Sequence, residues 1–203
     1  PIKAMQAELG FRGDVGGWTY NVVAYNLEKT DDLVSQRDLV TNVSTNANAG
    51  RTEHRGVEIG AGARFSEHLR FDTALSYARH RYIDWVTATA NFGGKEIESA
   101  PKVLANSRLT WRPTTAAMLQ VEWVRIGEYW LEASNSPSFG KYPGHDLLNV
   151  RASFTATKRL DLFARVMNAA NKRYADSASV SSNTPVFSPG LPRAVYAGAE
   201  FTW

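Results

Sequence analysis

The stretch Leu148-Asn149-Val150-Arg151-Ala152-Ser153-Phe154-Thr155 alternates apolar and polar residues without a break. Because successive side chains of a strand point to opposite faces, this pattern predicts a strand with one apolar and one polar face. A helix through the same residues would place Arg151 beside Val150 and Phe154, and so would have no apolar face. The stretch therefore predicts β structure.

The same period of two recurs along the chain in about nine stretches. Their first apolar positions are Met5, Trp18, Val57, Leu69, Val103, Leu119, Leu148, Leu160 and Val195. Many of the stretches approach the roughly 9–11 residues with which a tilted strand crosses a bilayer. Strands of globular proteins are usually about half that length. The sequence therefore predicts an all-β antiparallel fold of about nine long transmembrane strands.

The connections between these stretches alternate between short and long. Short turns are expected at 13–16, 66–68, 113–115 and 157–158, and long loops at 34–50, 86–100, 133–144 and 177–190. Short turns at one end and long loops at the other are typical of outer-membrane barrels, whose short turns are periplasmic. If the last strand runs towards the periplasm, every short turn falls on the periplasmic side.

The composition excludes several classes of function. Among 203 residues, 23 basic and 20 acidic side chains give a net charge of only +3, and the basic residues are scattered, so we expect no nucleic-acid partner. The absence of Cys excludes disulfides and thiolate metal sites. The mean hydropathy of −0.33 is that of a soluble protein, but alternating strands conceal their apolar face from such an average.

Charged and aromatic residues separate onto different positions of the pattern. The polar face would carry Glu8, Arg12, Glu58, Arg64, Arg70, Asp72, Arg108, Glu122, Arg151, Asp161, Arg165 and Glu200. These residues could line a barrel lumen or form the solvated face of a soluble β-sandwich. Four of the six Trp, at positions 18, 111, 123 and 203, lie near strand ends, which favours the aromatic girdles of a membrane barrel.

Six short motifs occur in an order that resembles one known family. They are Glu8-Leu9-Gly10, Asn48-Ala49-Gly50 with Arg55-Gly56-Val57-Glu58, Pro101 through Asn106, Tyr142 through Asn149, Asn168 through Tyr174, and Pro189-Gly190-Leu191-Pro192-Arg193. Together they resemble the C-terminal part of the β-barrel of TonB-dependent outer-membrane receptors and transporters, over essentially the whole chain. The fifth motif departs from the family pattern at Ala169 and Asn171.

The resemblance implies an architecture larger than this chain. Residues 1–203 would be the C-terminal part of a 22-stranded barrel, with the plug and the first barrel strands upstream of Pro1. About nine strands cannot close such a barrel, so we expect this segment alone to aggregate, to pair with a second copy or to need detergent. The implied partners are outer-membrane lipid, the TonB complex through the absent N-terminal part, and the barrel-assembly machinery.

The last strand resembles the terminal signal by which outer-membrane barrels are assembled. Tyr196, Gly198, Phe201 and Trp203 fill its polar, glycine, hydrophobic and aromatic positions in order. An open strand edge with an aromatic anchor is a template that assembly machinery can recognise. This feature predicts localisation in the bacterial outer membrane.

We find no pattern that predicts catalysis, a metal site or a cofactor. The four His (54, 68, 80 and 145) lack metal-ligand spacing, and neither a nucleophile elbow nor a phosphate-binding loop occurs. Asp31-Asp32 fits a solvated loop better than a calcium site. A passive porin and an enzymatic outer-membrane barrel stay open as alternatives to a transporter.

The resemblance implies uptake of a scarce, large solute such as a ferric siderophore. Aromatic and basic loop residues suit an anionic, conjugated chelate through stacking and charge. The candidate ligand contacts are Tyr129, Trp130, Phe139, Lys141, Tyr142 and Phe187. The same residues could instead pack the loops or belong to a girdle, and we favour that interpretation.

Overall fold

The computed structural model describes residues 1–38, 40–41, 43–87 and 90–203, and for residues 34–37 and 47–49 it describes the backbone alone. This part of the chain forms thirteen strands. They are β1 (Lys3–Val15), β2 (Trp18–Arg37), β3 (Ser44–Arg64), β4 (Leu69–Asp84), β5 (Val103–Thr114), β6 (Ala117–Ile126), β7 (Tyr129–Trp130), β8 (Lys141–Tyr142), β9 (His145–Thr157), β10 (Leu160–Met167), β11 (Ala175–Ser181), β12 (Thr184–Pro189) and β13 (Ala194–Phe201).

Nine of these strands form one antiparallel sheet in the order β1-β2-β3-β4-β5-β6-β9-β10-β13. Each long strand therefore pairs with the next long strand along the chain. The pairs β7-β8 and β11-β12 are separate two-stranded sheets within the connections. The predicted number of long strands and their antiparallel order are confirmed.

The register of the sheet keeps apolar residues beside apolar residues across its whole width. One row of directly opposed partners passes through every strand of the sheet: Val15, Trp18, Ala63, Phe71, Leu109, Val121, Val150, Val166 and Val195. A slip of one residue in any strand would turn its apolar side chains to the other face. We call the face that carries this row the apolar face.

The opposite, polar face carries the predicted charged residues. One of its rows contains Asp14, Thr19, Gly62, Asp72, Arg108, Glu122 and Asn149. On the apolar face, by contrast, large side chains such as Phe11 (65% exposed) and Trp111 (48%) stay open. An exposed apolar surface that spans nine strands fits the predicted lipid-facing side of a transmembrane sheet.

Aromatic residues mark both borders of the apolar face. At the short-turn end, Trp18 packs edge-on against Phe65 with ring centroids 5.8 Å apart. Trp111 of β5 also lies at the short-turn end. At the long-loop end, Tyr77 and Trp123 are exposed on the same face. Because Trp and Tyr favour membrane–water interfaces, these two belts fit the aromatic girdles that the sequence predicts.

The sheet is open, with β1 and β13 as its two edges. A β-sandwich would need a second sheet packed on the first, and among the described residues only the two small two-stranded pairs accompany the large sheet. The sandwich interpretation is therefore wrong. In the described part of the chain, no helix has the length and apolar character needed to span a membrane.

Two of the four predicted long loops are wrong in extent. In segment 34–50, β2 continues to Arg37 and β3 begins at Ser44, so the hairpin extends far beyond the apolar face. Leu39 and Asn42 of this segment lie outside the described part. Segment 177–190 is mostly the hairpin β11-β12. Outside the bilayer a strand needs no apolar face, so its alternation disappears although its backbone pairing continues.

The other two predicted loops are irregular over most of their length. Segment 86–100 contains only isolated bridges, such as Arg81 with Glu96 and Val86 with Asn91, and its Ala88 and Thr89 lie outside the described part. Segment 133–144 contains one short strand, β8. These segments and the hairpin β11-β12 cover the long-loop end of the sheet.

Candidate functional site

The long-loop end contains a buried aromatic cluster built from two connections, β6 to β9 and β10 to β13. Tyr129 of β7 and Tyr142 of β8 pack with their ring centroids 5.2 Å apart. Leu131 and the hairpin residues Ala175, Ala178 and Val180 complete the cluster, and Phe139 packs against it. We call this group the loop cluster. It fixes the β11-β12 hairpin over the end of the sheet through apolar burial.

Both tyrosine hydroxyls of the loop cluster bind the backbone of the hairpin. The amide of Ala178 donates to the hydroxyl of Tyr129 at 3.0 Å. The hydroxyl of Tyr142 lies 3.0 Å from the carbonyl oxygen of Ala175, 3.2 Å from its amide nitrogen and 2.8 Å from Nδ1 of His145. All three bonds form together when the amide and Nδ1–H donate to the hydroxyl, which itself donates to the carbonyl.

The six predicted ligand-contact residues divide into two groups in the structure. Tyr129 and Tyr142 are buried and Phe139 is half-buried against them, so these three pack within the loop cluster. Trp130 and Lys141 lie beside them but are partly open, with the Lys141 ammonium 5.0 Å from the centre of the Trp130 ring. Phe187 of β12 is 56% exposed. The structure therefore brings five of the six together and leaves three accessible.

One ion pair fixes the side chain of Lys141. Nζ of Lys141 lies 2.5 Å from Oε1 of Glu128, and this contact lowers the pKa of the Glu128 carboxyl. The ammonium therefore lies close to both a carboxylate and an indole ring. Trp130 and Lys141 lie close together because they are directly opposed partners in the pairing of β7 with β8.

A second buried cluster lies beneath segment 86–100. Tyr82 and Trp85 pack with centroids 4.6 Å apart, and Trp85 stacks on Phe92 at 4.2 Å. The Tyr82 hydroxyl donates to Glu98 at 2.8 Å, and burial raises the pKa of both groups. Asn135 joins the neighbouring loop to this one, since its side chain bonds both the amide and the carbonyl of Glu96.

Two histidines meet on the polar face just beyond the bilayer. His54 of β3 lies opposite His80 of β4, with their Nδ1 atoms 2.9 Å apart. Burial is the main cause that lowers the pKa of both, to about 4 for His54, so both rings are neutral at neutral pH and one donates to the other. No group of three or more His, Asp or Glu placed to hold a metal occurs among the described residues.

Sequence reasoning missed this histidine pair although the signal was present. The predicted turn at 66–68 brings Arg64 opposite Arg70, and continuing that register places His54 opposite His80. The two positions are 26 residues apart, so no local spacing rule would connect them. Hairpin register is the observation that finds such pairs.

The polar face also contains a carboxylate held from two sides. Glu122 of β6 accepts a bond from Asn106 of β5 at 2.8 Å and another from Asn149 of β9 at 3.0 Å. Oδ1 of Asn149 in turn accepts the backbone N–H of Asn168 at 2.9 Å. Asn106, Asn149 and Asn168 belong to three of the six sequence motifs, so these motifs meet through one hydrogen-bonded group.

The last two motifs bind each other across the hairpin that separates them. The side chain of Asn168 donates to the carbonyl of Leu191 at 3.1 Å, and Oδ1 of Asn171 accepts the amide of Arg193 at 3.1 Å. The amide of Gly190 donates to the carbonyl of Tyr174 at 2.9 Å. The motif residues therefore close the base of the β11-β12 insertion. Asn48 of the second motif lies outside the described side chains.

The residues of the terminal pattern alternate between the two faces. Tyr196 and Gly198 lie on the polar face opposite Arg165 and Phe163, and Phe201 lies on the apolar face opposite Leu160. Trp203 follows β13 and is 96% exposed. The pattern thus places an exposed aromatic residue at the short-turn end of an edge strand.

Comparison with known proteins identifies relatives of this architecture. The family model described as "TonB dependent receptor-like, beta-barrel" matches residues 1–169. Among solved structures, the ferric yersiniabactin uptake receptor FyuA from Yersinia pestis is similar with a TM-score of 0.80 at 18% identity, covering 98% of this chain and 30% of the receptor. The siderophore receptor PiuA from Acinetobacter baumannii gives 0.77 at 18%, covering 98% and 28%. The copper transporter OprC gives 0.79 at 17%, covering 100% and 31%. The chain thus spans about a third or less of the length of these structures.

Proposed function

The chain belongs to the TonB-dependent receptor β-barrel family of the bacterial outer membrane, and from that membership we propose that it forms the C-terminal wall of a transporter that imports a scarce, large solute. The observation that carries the proposal is the sheet itself. Nine strands share an unbroken apolar row on one face, and seven of them share a row of polar and charged residues on the other, which suits a wall between lipid and a polar lumen.

A ferric siderophore is the solute that we propose. Two of the similar structures are named as receptors for such chelates, and a third is named as a copper transporter. Energy would come from the TonB complex, which would contact the full-length protein through its N-terminal part. The family is one of receptors and transporters rather than enzymes.

We further propose that the accessible loop residues contact the solute while the buried ones position them. Trp130 offers an indole face, Lys141 a cation and Phe187 an exposed ring on the hairpin. Tyr129, Phe139 and Tyr142 would act by holding the loops in place, since they lie within the loop cluster. Charge and stacking together suit an anionic aromatic chelate.

The experiment is uptake of radioactive iron by cells that carry or lack the full-length gene. Iron is supplied on a catecholate chelator, on a hydroxamate chelator or as citrate, and copper is supplied in parallel. We expect loss of uptake for one iron complex on deletion, and dependence on the proton-motive force. Uptake that persists in de-energised cells would support a passive porin and overturn the proposal.

Residue contacts are tested with the iron complex that the deletion identifies. Trp130→Ala and Lys141→Gln should each weaken its binding to the purified full-length receptor, whereas Lys158→Gln, in a short turn at the opposite end, should not. Unchanged affinity in both loop variants would contradict the assigned contacts but not the transport role.

A further inference from the structure

Two arginines face each other on the apolar face where that face meets the long-loop end. Arg55 of β3 lies directly opposite Arg79 of β4, one step beyond the apolar pair Val57 and Tyr77. Because side chains two positions apart share a face, both guanidinium groups lie on the outer surface of the wall. Both residues are exposed.

This arrangement is unfavourable unless an anion accompanies it. Like charges directly opposite each other on adjacent strands destabilise a sheet. Arg55 has one carboxylate nearby, Glu53 at 3.5 Å, whereas Arg79 forms no ion pair within the described part of the chain. Arg81, opposite Glu53, has a buried Nε with no hydrogen-bond partner.

The carboxylates around these arginines lie further from the bilayer. Glu53 is opposed by Glu28 on one side and Arg81 on the other, and Asp84 opposes Arg51. Among the described residues, the first register row beyond the apolar face therefore carries only two charged residues, Arg55 and Arg79. A negative group that approaches from the membrane interface would therefore contact these two guanidinium groups before it reached a carboxylate.

The depth of the pair matches the headgroup layer. Arg79 follows Leu69, at the short-turn end of β4, by ten residues, which is about 33 Å of strand. With a tilt of about 40°, this length covers the roughly 25 Å of the apolar band. Tyr77, one step before Arg79 on the same face, lies where interfacial aromatic residues are found.

We propose that Arg55 and Arg79 together bind a phosphate on a lipid headgroup of the outer leaflet, with Arg81 close enough to contribute. Two planar guanidinium groups on neighbouring strands can each donate two hydrogen bonds to phosphate oxygens. Bound phosphate would neutralise the opposed charges. The proposal depends on the outer-membrane placement and not on the identity of the transported solute.

The test uses the full-length receptor in an uncharged detergent. The probes are diphosphorylated lipid A, the same lipid after enzymatic removal of its phosphates, and inorganic phosphate, and native mass spectrometry counts the bound lipid. The variant is Arg55→Gln with Arg79→Gln. The matched control is Arg151→Gln with Arg165→Gln, because these arginines also oppose each other but lie on the polar face.

We expect the double variant on the apolar face to bind phosphorylated lipid A roughly 30-fold more weakly, and the control pair to bind it as the wild type does. The variant Arg55→Lys with Arg79→Lys keeps both positive charges but loses the planar guanidinium groups. Its affinity for phosphorylated lipid A should lie between those of the Gln variant and the wild type, which shows that folding is intact. Equal retention of dephosphorylated lipid, unchanged binding in the Gln variant, or displacement by equimolar inorganic phosphate would overturn the proposal.

Discussion

The ring of Phe163 lies over the backbone of Gly198, its directly opposed partner on the neighbouring strand. A Cβ on Gly198 would overlap the tip of that ring. An aromatic side chain that covers a cross-strand glycine stabilises a sheet without requiring a second side chain. This contact explains physically why the glycine position of the terminal pattern is filled by Gly198.

Gly198→Ala should therefore destabilise the C-terminal hairpin by about 1–2 kcal/mol, because the ring must move and the pair must repack. The measurement is thermal unfolding of the full-length receptor in detergent, monitored by the change in its gel migration on heating. Phe163→Ala combined with Gly198→Ala should recover part of the loss. Ala197→Gly, at a neighbouring position without an overlying ring, is the control, and an equal or smaller effect of Gly198→Ala would contradict the contact.

The Glu122 carboxylate should be the main hydrogen-bonding centre of the polar face. Glu122→Ala leaves the amides of Asn106 and Asn149 without their acceptor, which should cost about 1–3 kcal/mol of stability. Glu122→Gln should lose less, since one acceptor oxygen remains. The measurement is denaturant unfolding, with Asn149→Ala added as a double-mutant cycle. Independent, additive effects of Glu122→Ala and Asn149→Ala would show that the bond contributes nothing.

The loop cluster should loosen as the solution becomes acidic. Burial, followed by the charge of Lys172, lowers the pKa of His145 below its usual value of 6.5. A histidine whose folded pKa is depressed contributes stability that is complete above the unfolded pKa and is lost as the pH falls from there towards the folded pKa. The protection factors of the Ala175 and Ala178 amides, which correct for the pH dependence of intrinsic exchange, should therefore fall below about pH 6.5.

His145→Gln tests the assignment of that pH dependence. The variant keeps a polar side chain beside Tyr142 but cannot take up the proton, so the protection factors of the two amides should become nearly independent of pH. His68→Gln, in a short turn at the opposite end, should leave the pH profile as it is. A profile that survives in the His145 variant would assign the effect to another group.

The hydroxyl groups of Tyr129 and Tyr142 should help to hold the hairpin in place. Tyr142→Phe keeps the apolar contact but leaves the Ala175 amide and carbonyl without their partner, and Tyr129→Phe does the same to the Ala178 amide. Each change should lower the local opening free energy of β11-β12 by about 1–2 kcal/mol. Protease cleavage of the hairpin provides the measurement, and Phe187→Ala is the exposed control.

The sequence predicts the parts of this fold that the bilayer constrains. Between Leu69 and Tyr77 every second residue lies on the apolar face, so the alternation is visible and the short turns fix the register. Beyond Arg79 that constraint ends, and neither the extended hairpin of β2 and β3 nor the β11-β12 pair can be found from a period of two. The loop cluster was equally hidden, because Tyr142 and Ala175 meet across 33 residues without a repeated pattern.

The candidate site was predictable in part. Aromatic and basic character alone selected Tyr129 and Tyr142 together with Trp130 and Lys141, and composition cannot tell a buried ring from an accessible one. Burial follows from the packing of two separate connections, which sequence patterns do not report. The contact of Asn106 and Asn149 with Glu122, in contrast, follows from the strand register once it is known.

Single-cysteine labelling of the full-length receptor in bilayers tests the central claim most directly, because this chain contains no Cys of its own. Spin labels are placed at neighbouring positions on opposite faces: Leu75 and Ala74, Leu109 and Thr110, Val121 and Gln120. We predict that labels at 75, 109 and 121 collide with oxygen dissolved in lipid, and that labels at 74, 110 and 120 do not. Equal oxygen collision on both faces, or the reverse order, would contradict a membrane-spanning wall.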